Sequence, residues 1–153
     1  MTWSTRGVVV GATAVLAAAG GTAPAPAAPW GAGAEVAYHG SAVLSGGLVG
    51  VRFTPHNHGP AAVPESVVRV RWSEPLADGQ VLPPSCARAE ERAVVCRVGP
   101  LEADGVGEPV VLRVRLRQAS PEVRLEFATL ADGDRAGAGQ RVLVLETGDA
   151  YAF

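Results

Sequence analysis

The chain contains no lysine and no isoleucine, and it has a single asparagine and a single methionine. This bias is typical of a GC-rich genome and carries no functional information. All 13 basic residues are therefore arginines, and 15 acidic residues outweigh them to give a formal net charge of −2. A protein that binds nucleic acid is expected to be strongly basic. The charge balance therefore argues against a nucleic-acid partner.

Motifs that would indicate catalysis are also missing. There is no G-x-S-x-G elbow, and the few serines have no histidine and aspartate in a triad arrangement. The acidic pairs Glu90–Glu91 and Asp132–Asp134 lie in charged, turn-like stretches that are typical of solvated loops. The glycine-rich segment ADGDRAGAG lacks the Lys-Ser/Thr of a phosphate-binding loop. We therefore predict a non-catalytic protein without a cofactor.

The N-terminus has the pattern of a secretory signal peptide. Arg6 precedes an apolar run from Gly7 to Ala19, and a small-residue, proline-spaced stretch then offers an A-x-A site that ends at Ala27. A membrane-spanning helix needs about 20 apolar residues, so a retained anchor is the weaker alternative. We predict a signal peptide over residues 1–27, a flexible leader over 28–34, secretion, and no membrane association after cleavage.

Apolar residues recur at every second position through most of the remaining chain. The clearest run, from Val110 to Leu116, alternates with arginines, and comparable runs of about five to eight residues are bounded by Gly, Pro or Asp. No helical period follows the leader. We predict one all-β domain over residues 35–153, an immunoglobulin-like antiparallel sandwich of about seven strands. Its first strand is expected near Glu35–Leu44, its core includes Trp72, and the domain is expected to be a monomer.

Cys86 and Cys96 are the only cysteines. In an exported chain, an even count favours a disulfide. A metal site or a redox pair is the weaker alternative, because no histidine lies near them and the spacing is not C-x-x-C. The alternation places Cys96 on the inward face of its strand. We expect the disulfide to tie the loop after Pro83–Pro84 to the sheet.

Three short segments occur in an order that is typical of a known family. They are N-x-G-P at 57–60, the turn LADG at 76–79, and C-x-x-G-x-L at 96–101. From about Glu35 to Leu145 the chain resembles the bacterial cell-surface "conserved repeat" domain, an immunoglobulin-like domain of unknown function. The family usually has proline at position 77, an Asn-Asn pair near residue 139, and tandem copies, all of which differ here. The resemblance implies a β-sandwich at the cell surface without defined active residues.

His56 and His58 form the one candidate metal motif of the sequence. At i and i+2 on a strand their side chains share a face, and copper or zinc could use them. A metal needs further ligands, and His39 is the only other histidine. Because the pair flanks a predicted exposed turn, we predict no metal there and keep His56 and His58 as weak candidates.

Arginines form the most distinctive predicted surface. Arg113, Arg115 and Arg117 alternate along one strand, and four more point outward elsewhere: Arg69, Arg71, Arg97 and Arg124. If these strands are neighbours, they form a basic face that could bind an anionic cell-wall polymer or an acidic extracellular protein. Alternatively, cross-strand glutamates such as Glu126 neutralise the arginines.

The C-terminal residues Tyr151 and Phe153 fall on one side of a predicted last strand, which could instead be a docking peptide. Taken together, the sequence predicts a secreted, non-catalytic binding or structural module at the cell envelope. The first alternative is a small extracellular metal or ligand binder that uses His56 and His58. The second is an inhibitor of secreted enzymes that presents the loop Pro83–Arg92.

Overall fold

The computed structural model describes residues 35–131, 135–136 and 140–153. The predicted signal peptide, the leader and the Asp132–Asp134 pair lie outside the described residues. Within the described part of the chain, no helix is long and apolar enough to cross a membrane.

Ten β-strands make up the described chain, and the alternation of apolar and polar residues accounts for the longer ones. They are β1 (Val36–Ser45), β2 (Leu48–Asn57), β3 (Val63–Trp72), β4 (Cys86–Glu90), β5 (Ala93–Leu101), β6 (Val110–Arg115), β7 (Glu122–Ala131), β8 (Arg135–Ala136), β9 (Arg141–Glu146) and β10 (Ala150–Ala152). The seven predicted strands correspond to β1, β2, β3, β5, β6, β7 and β9. The count of about seven was too low because β4 and β8 are too short to produce a clear period, and because the predicted last strand, β10, was not included in it.

The strands form two antiparallel sheets that pack as a sandwich, which confirms the predicted fold class. One sheet has the order β10-β1-β2-β6, and the other has the order β4-β5-β3-β7-β8, with β9 also paired to β7. β10 pairs with β1, and both C-terminal aromatic residues pack against the core. The predicted packed last strand is therefore confirmed.

Aromatic rings join the two sheets at the centre of the core. Tyr38 of β1 and Phe53 of β2 contact Phe127 of β7 at ring-centroid distances of 5.8 and 5.3 Å. The Tyr38 hydroxyl also hydrogen-bonds the Thr129 hydroxyl. Burial raises the pKa of Tyr38 to about 12, although the hydrogen bond to Thr129 acts in the opposite direction. Trp72 is buried as predicted, with 1% of its surface exposed.

The predicted disulfide is present between Cys86 and Cys96. The two residues are direct partners in the β4–β5 ladder, and Cys96 is fully buried. The disulfide therefore joins the edge strand β4 to its neighbour, as expected for the segment after Pro83–Pro84.

A tight hairpin connects β1 to β2. Gly46 and Gly47 have φ values of 56° and 80°, and two consecutive positive φ angles are what a two-residue turn of the favoured hairpin type requires. The ladder then runs without interruption from Ser45–Leu48 to Val36–Asn57. This turn therefore determines which residues of β1 and β2 lie opposite each other over ten pairs.

Candidate metal centre

His56 and His58 lie at the end of β2 that is remote from the hairpin turn. Asn57 between them points into the protein and is fully buried, whereas His56 is half-buried and His58 is exposed. The two imidazoles therefore share the outer face of the four-stranded sheet, as the i, i+2 spacing predicts. Their ring centroids are 3.8 Å apart.

His39 reaches the same place from β1. In the hairpin ladder, Ala37 pairs with His56 and His39 pairs with Thr54, so His39 and His56 are diagonal neighbours on one face. Such neighbours are within reach of long side chains. The Nε2 atoms of His39 and His58 are 3.4 Å apart, and one ligand nitrogen from each of the three histidines lies within 4.8 Å of the others.

The sequence alone predicts His56 and His58 as a pair and does not show that His39 lies beside them. The signal that could have found His39 is the Gly46–Gly47 turn. A two-residue turn at that position sets the register of the hairpin, and counting back along both strands places His39 beside His56. The structure thus brings together all three histidines of the chain, which form what we call the histidine cluster.

The spacing of the histidine cluster suits a transition metal. A tetrahedral ion with metal–nitrogen bonds of 2.0–2.1 Å holds its ligand nitrogens about 3.3–3.4 Å apart, and the Nε2 atoms of His39 and His58 are already at 3.4 Å. Within the described residues, the cluster contains no carboxylate and no thiol. Three neutral imidazoles favour zinc or copper over calcium or magnesium, and they leave a coordination position open to solvent.

Asn57 holds the backbone that carries His56 and His58. Its Oδ1 accepts hydrogen bonds from the backbone amides of Glu35 at 3.3 Å and Gly59 at 3.0 Å. Its Nδ2 donates to the carbonyl oxygens of Ala61 at 2.7 Å and Glu102 at 3.0 Å. All four hydrogen-bonding sites of the Asn57 side-chain amide are thus bonded to backbone groups. These groups belong to three separate segments of the chain. From the sequence, Asn57 is predicted only to be part of the N-x-G-P turn motif.

Backbone contacts complete this support. The amide of His58 donates to the carbonyl oxygen of Glu35 at 2.7 Å, and the amide of Asn57 donates to that of Gly105 at 2.9 Å. His56 forms an isolated β-bridge with Val106. The strand end is therefore fixed before any metal binds.

The outward arginines are divided between the two sheets, so the condition for a single basic face, that their strands are neighbours, is not met. Arg113 and Arg115 lie on β6 of the four-stranded sheet, whereas the other four outward arginines are on the six-stranded sheet: Arg69 and Arg71 on β3, Arg97 on β5, and Arg124 on β7. Alternation alone does not specify which strands are neighbours. The predicted basic surface is therefore not continuous.

Several of the predicted surface arginines are also neutralised. Arg117 lies beyond the end of β6, and its Nη1 contacts Glu91 Oε1 at 2.7 Å. The Nη1 of Arg69 lies 4.0 Å from Glu90 Oε1. Arg117 is thus committed to an ion pair, and only Arg113 and Arg115 of the predicted stripe share the outer face with the histidine cluster.

The segment Pro83–Arg92, which was considered as an inhibitory loop, contains β4. Beside the disulfide, Arg88 holds this segment in place, because its guanidinium donates to the carbonyl oxygens of Ala77 at 2.8 Å and Leu76 at 3.0 Å. Half of the segment, Cys86–Glu90, is thus an edge strand fastened to the sheet, and the rest forms the turns on either side of it.

Comparison with known proteins adds no functional information. A scan against protein-family models finds no match, and a search of curated proteins finds no significant match either.

Proposed function

We propose that the protein is a secreted, non-catalytic β-sandwich module of the cell envelope that binds a divalent transition metal, zinc or copper, through His39, His56 and His58. One observation supports the proposal above all: three imidazoles from two strands each place a ligand nitrogen within 4.8 Å of the others. The strands are joined by a tight hairpin, so the ligands are held in place by the fold.

Export is supported by the signal-peptide pattern of residues 1–27. The disulfide between Cys86 and Cys96 is of the kind that forms and persists in oxidising compartments. The resemblance to the cell-surface "conserved repeat" domain agrees with a role at the envelope.

A binding role, as opposed to a catalytic one, is supported by the surroundings of the histidine cluster. The cluster lies on an open sheet face, with His39 and His58 exposed. Metal-assisted hydrolysis needs a shaped cavity that excludes water and a positioned acid or base. Within the described residues, no carboxylate belongs to the cluster. We therefore assign to the metal the role of holding a ligand in its open position.

Calorimetric titration with zinc tests the proposal. The wild-type protein should bind one ion per chain, and His39→Ala should weaken binding by more than about tenfold, because the loss of a ligand costs at least as much as the loss of its supporting partner. Ser45→Ala is the matched control, since Ser45 is an exposed residue on the same strand at its opposite end.

The control should bind zinc as the wild-type protein does. Absence of binding heat at micromolar zinc and copper would remove the proposed function. Equal affinities of His39→Ala and the wild-type protein would show that the metal binds elsewhere.

A further inference from the structure

A shallow groove crosses the outer face of the four-stranded sheet, next to the histidine cluster. Its volume is about 630 Å³, within the range of ligand-binding pockets. All four strands of the sheet contribute to it. The lining residues on the outer face are Ser41, Val43, Gly50, Arg52, Val111, Arg113 and Ala150. The groove therefore runs across the strands, from the edge strand β10 to the edge strand β6.

Gly50 creates the depth of the groove. It lies in one row between Val43 of β1 and Arg113 of β6. A Cβ atom at this position would come within 3.2 Å of Val43 Cγ1, so any side chain would fill the floor. Val43 and Val111 form apolar walls, with 40% and 47% of their surfaces exposed.

Arg52 and Arg113 place two positive charges in this groove. Arg52 pairs with Val111 and Arg113 pairs with Gly50. The two arginines are therefore diagonal neighbours, whose Cα atoms are about 7–8 Å apart. Within the described residues, neither arginine has a carboxylate within ion-pair distance. Both guanidinium groups are therefore available to an anion, and their donor geometry matches phosphate and carboxylate oxygens.

We propose that this groove binds a linear phosphodiester-linked polyol chain, a polymer of the cell envelope, with a phosphate held between Arg52 and Arg113. A phosphodiester offers two oxygens that accept hydrogen bonds from different sides, which suits two guanidinium groups that approach from separate strands. The walls formed by Val43 and Val111 would contact the CH groups of the polyol, and the Ser41 hydroxyl is available to its hydroxyls.

The same face disfavours nucleic acid as the occupant. Proteins that bind single-stranded nucleic acid stack its bases on aromatic side chains. In the described chain, Tyr38, Phe53 and Phe127 point into the core, and no aromatic ring lines the groove. A chain of alternating phosphate and polyol therefore fits the lining better than a chain of phosphate and base.

This site goes beyond the proposed metal centre and does not depend on it, so the test uses the protein in the presence of a metal chelator. Binding of poly(glycerol phosphate) is measured by biolayer interferometry. The double variant Arg52→Gln/Arg113→Gln should bind at least about tenfold more weakly. It should also lose about one unit in the slope of log affinity against log salt concentration, because fewer counterions are released.

The matched control is Arg71→Gln/Arg124→Gln, which removes two exposed arginines from the opposite sheet. It changes the net charge by the same amount and should bind the polymer as the wild-type protein does. Equal weakening in this control would overturn the proposal, because binding would then follow net charge alone. Equally tight binding of an oligothymidine would overturn it in favour of nucleic acid.

The variant His39→Ala separates this proposal from the metal centre. Unchanged polymer binding by His39→Ala supports an independent groove, whatever the outcome of the zinc titration. Polymer binding that requires zinc, or that His39→Ala abolishes, would overturn the groove as a separate site.

Discussion

Replacing Asn57 by alanine removes the support for the strand end that carries His56 and His58. The side chain is fully buried and makes four hydrogen bonds to the backbone. Each such bond contributes about 0.5–1.5 kcal/mol net, and a buried group left without a partner costs about 1–3 kcal/mol. Because water can reach part of the released backbone, we expect Asn57→Ala to lower the free energy of unfolding by about 2–4 kcal/mol.

The folded variant should also bind zinc about tenfold more weakly, because the backbone that carries the imidazoles of His56 and His58 is no longer held in one position. Chemical denaturation measures the first effect, and calorimetry in the absence of denaturant measures the second. Gln80→Ala is the control, since Gln80 also binds backbone, with Nε2 2.8 Å from the Ala77 oxygen and 2.7 Å from the Arg115 oxygen. It lies away from the histidine cluster.

Gln80→Ala should therefore lower stability without changing zinc affinity. Unchanged zinc affinity in Asn57→Ala, or equal weakening of zinc binding in the control, would contradict this role of Asn57. A loss of stability below about 1 kcal/mol would show that the four hydrogen bonds do not hold this segment.

Three further predictions test the fold. Replacing both cysteines by serine should lower the free energy of unfolding by about 2–3 kcal/mol in denaturant titrations, and an unchanged midpoint would contradict this. The pKa of Tyr38 is raised to about 12 in the folded protein. The free energy of unfolding should therefore keep its full value below pH 10 and decrease by about 2–3 kcal/mol between pH 10 and 12. In Tyr38→Phe this decrease should be absent. Gly40→Ala should lower the free energy of unfolding by about 3 kcal/mol, because its Cβ would clash with the backbone carbonyl oxygen of Arg52. Gly50→Ala should cost less, because its Cβ would meet only the Val43 side chain.

Local patterns in the sequence were sufficient to predict the fold class. Alternation identified five of the seven longer strands, namely β2, β3, β5, β6 and β7. It also gave the inward positions of Trp72 and Cys96, because side-chain direction alternates along a strand. The single pair of cysteines was enough to predict the disulfide. The apolar run Val142–Leu145 was less informative, since Val142 and Val144 are 48% and 42% exposed and this strand alternates like the others.

The order of strands within the sheets could not be predicted in this way. The strand order places Arg113 and Arg69 on opposite sheets. It depends on long-range packing, which the alternation of residues along one strand does not reveal. The position of His39 was within reach of sequence reasoning, because the Gly46–Gly47 turn sets the hairpin register. The role of Asn57 was not, since three of its four partners depend on where Glu35, Ala61 and Glu102 come together.

X-ray absorption at the zinc edge of the protein loaded with one equivalent of zinc counts the imidazole ligands of the bound ion. We expect three imidazole nitrogens at about 2.0–2.1 Å, with an oxygen in the remaining position, and one imidazole fewer in His39→Ala. Two or fewer imidazoles in the wild-type protein, or an identical spectrum for His39→Ala, would contradict a metal centre built from His39, His56 and His58.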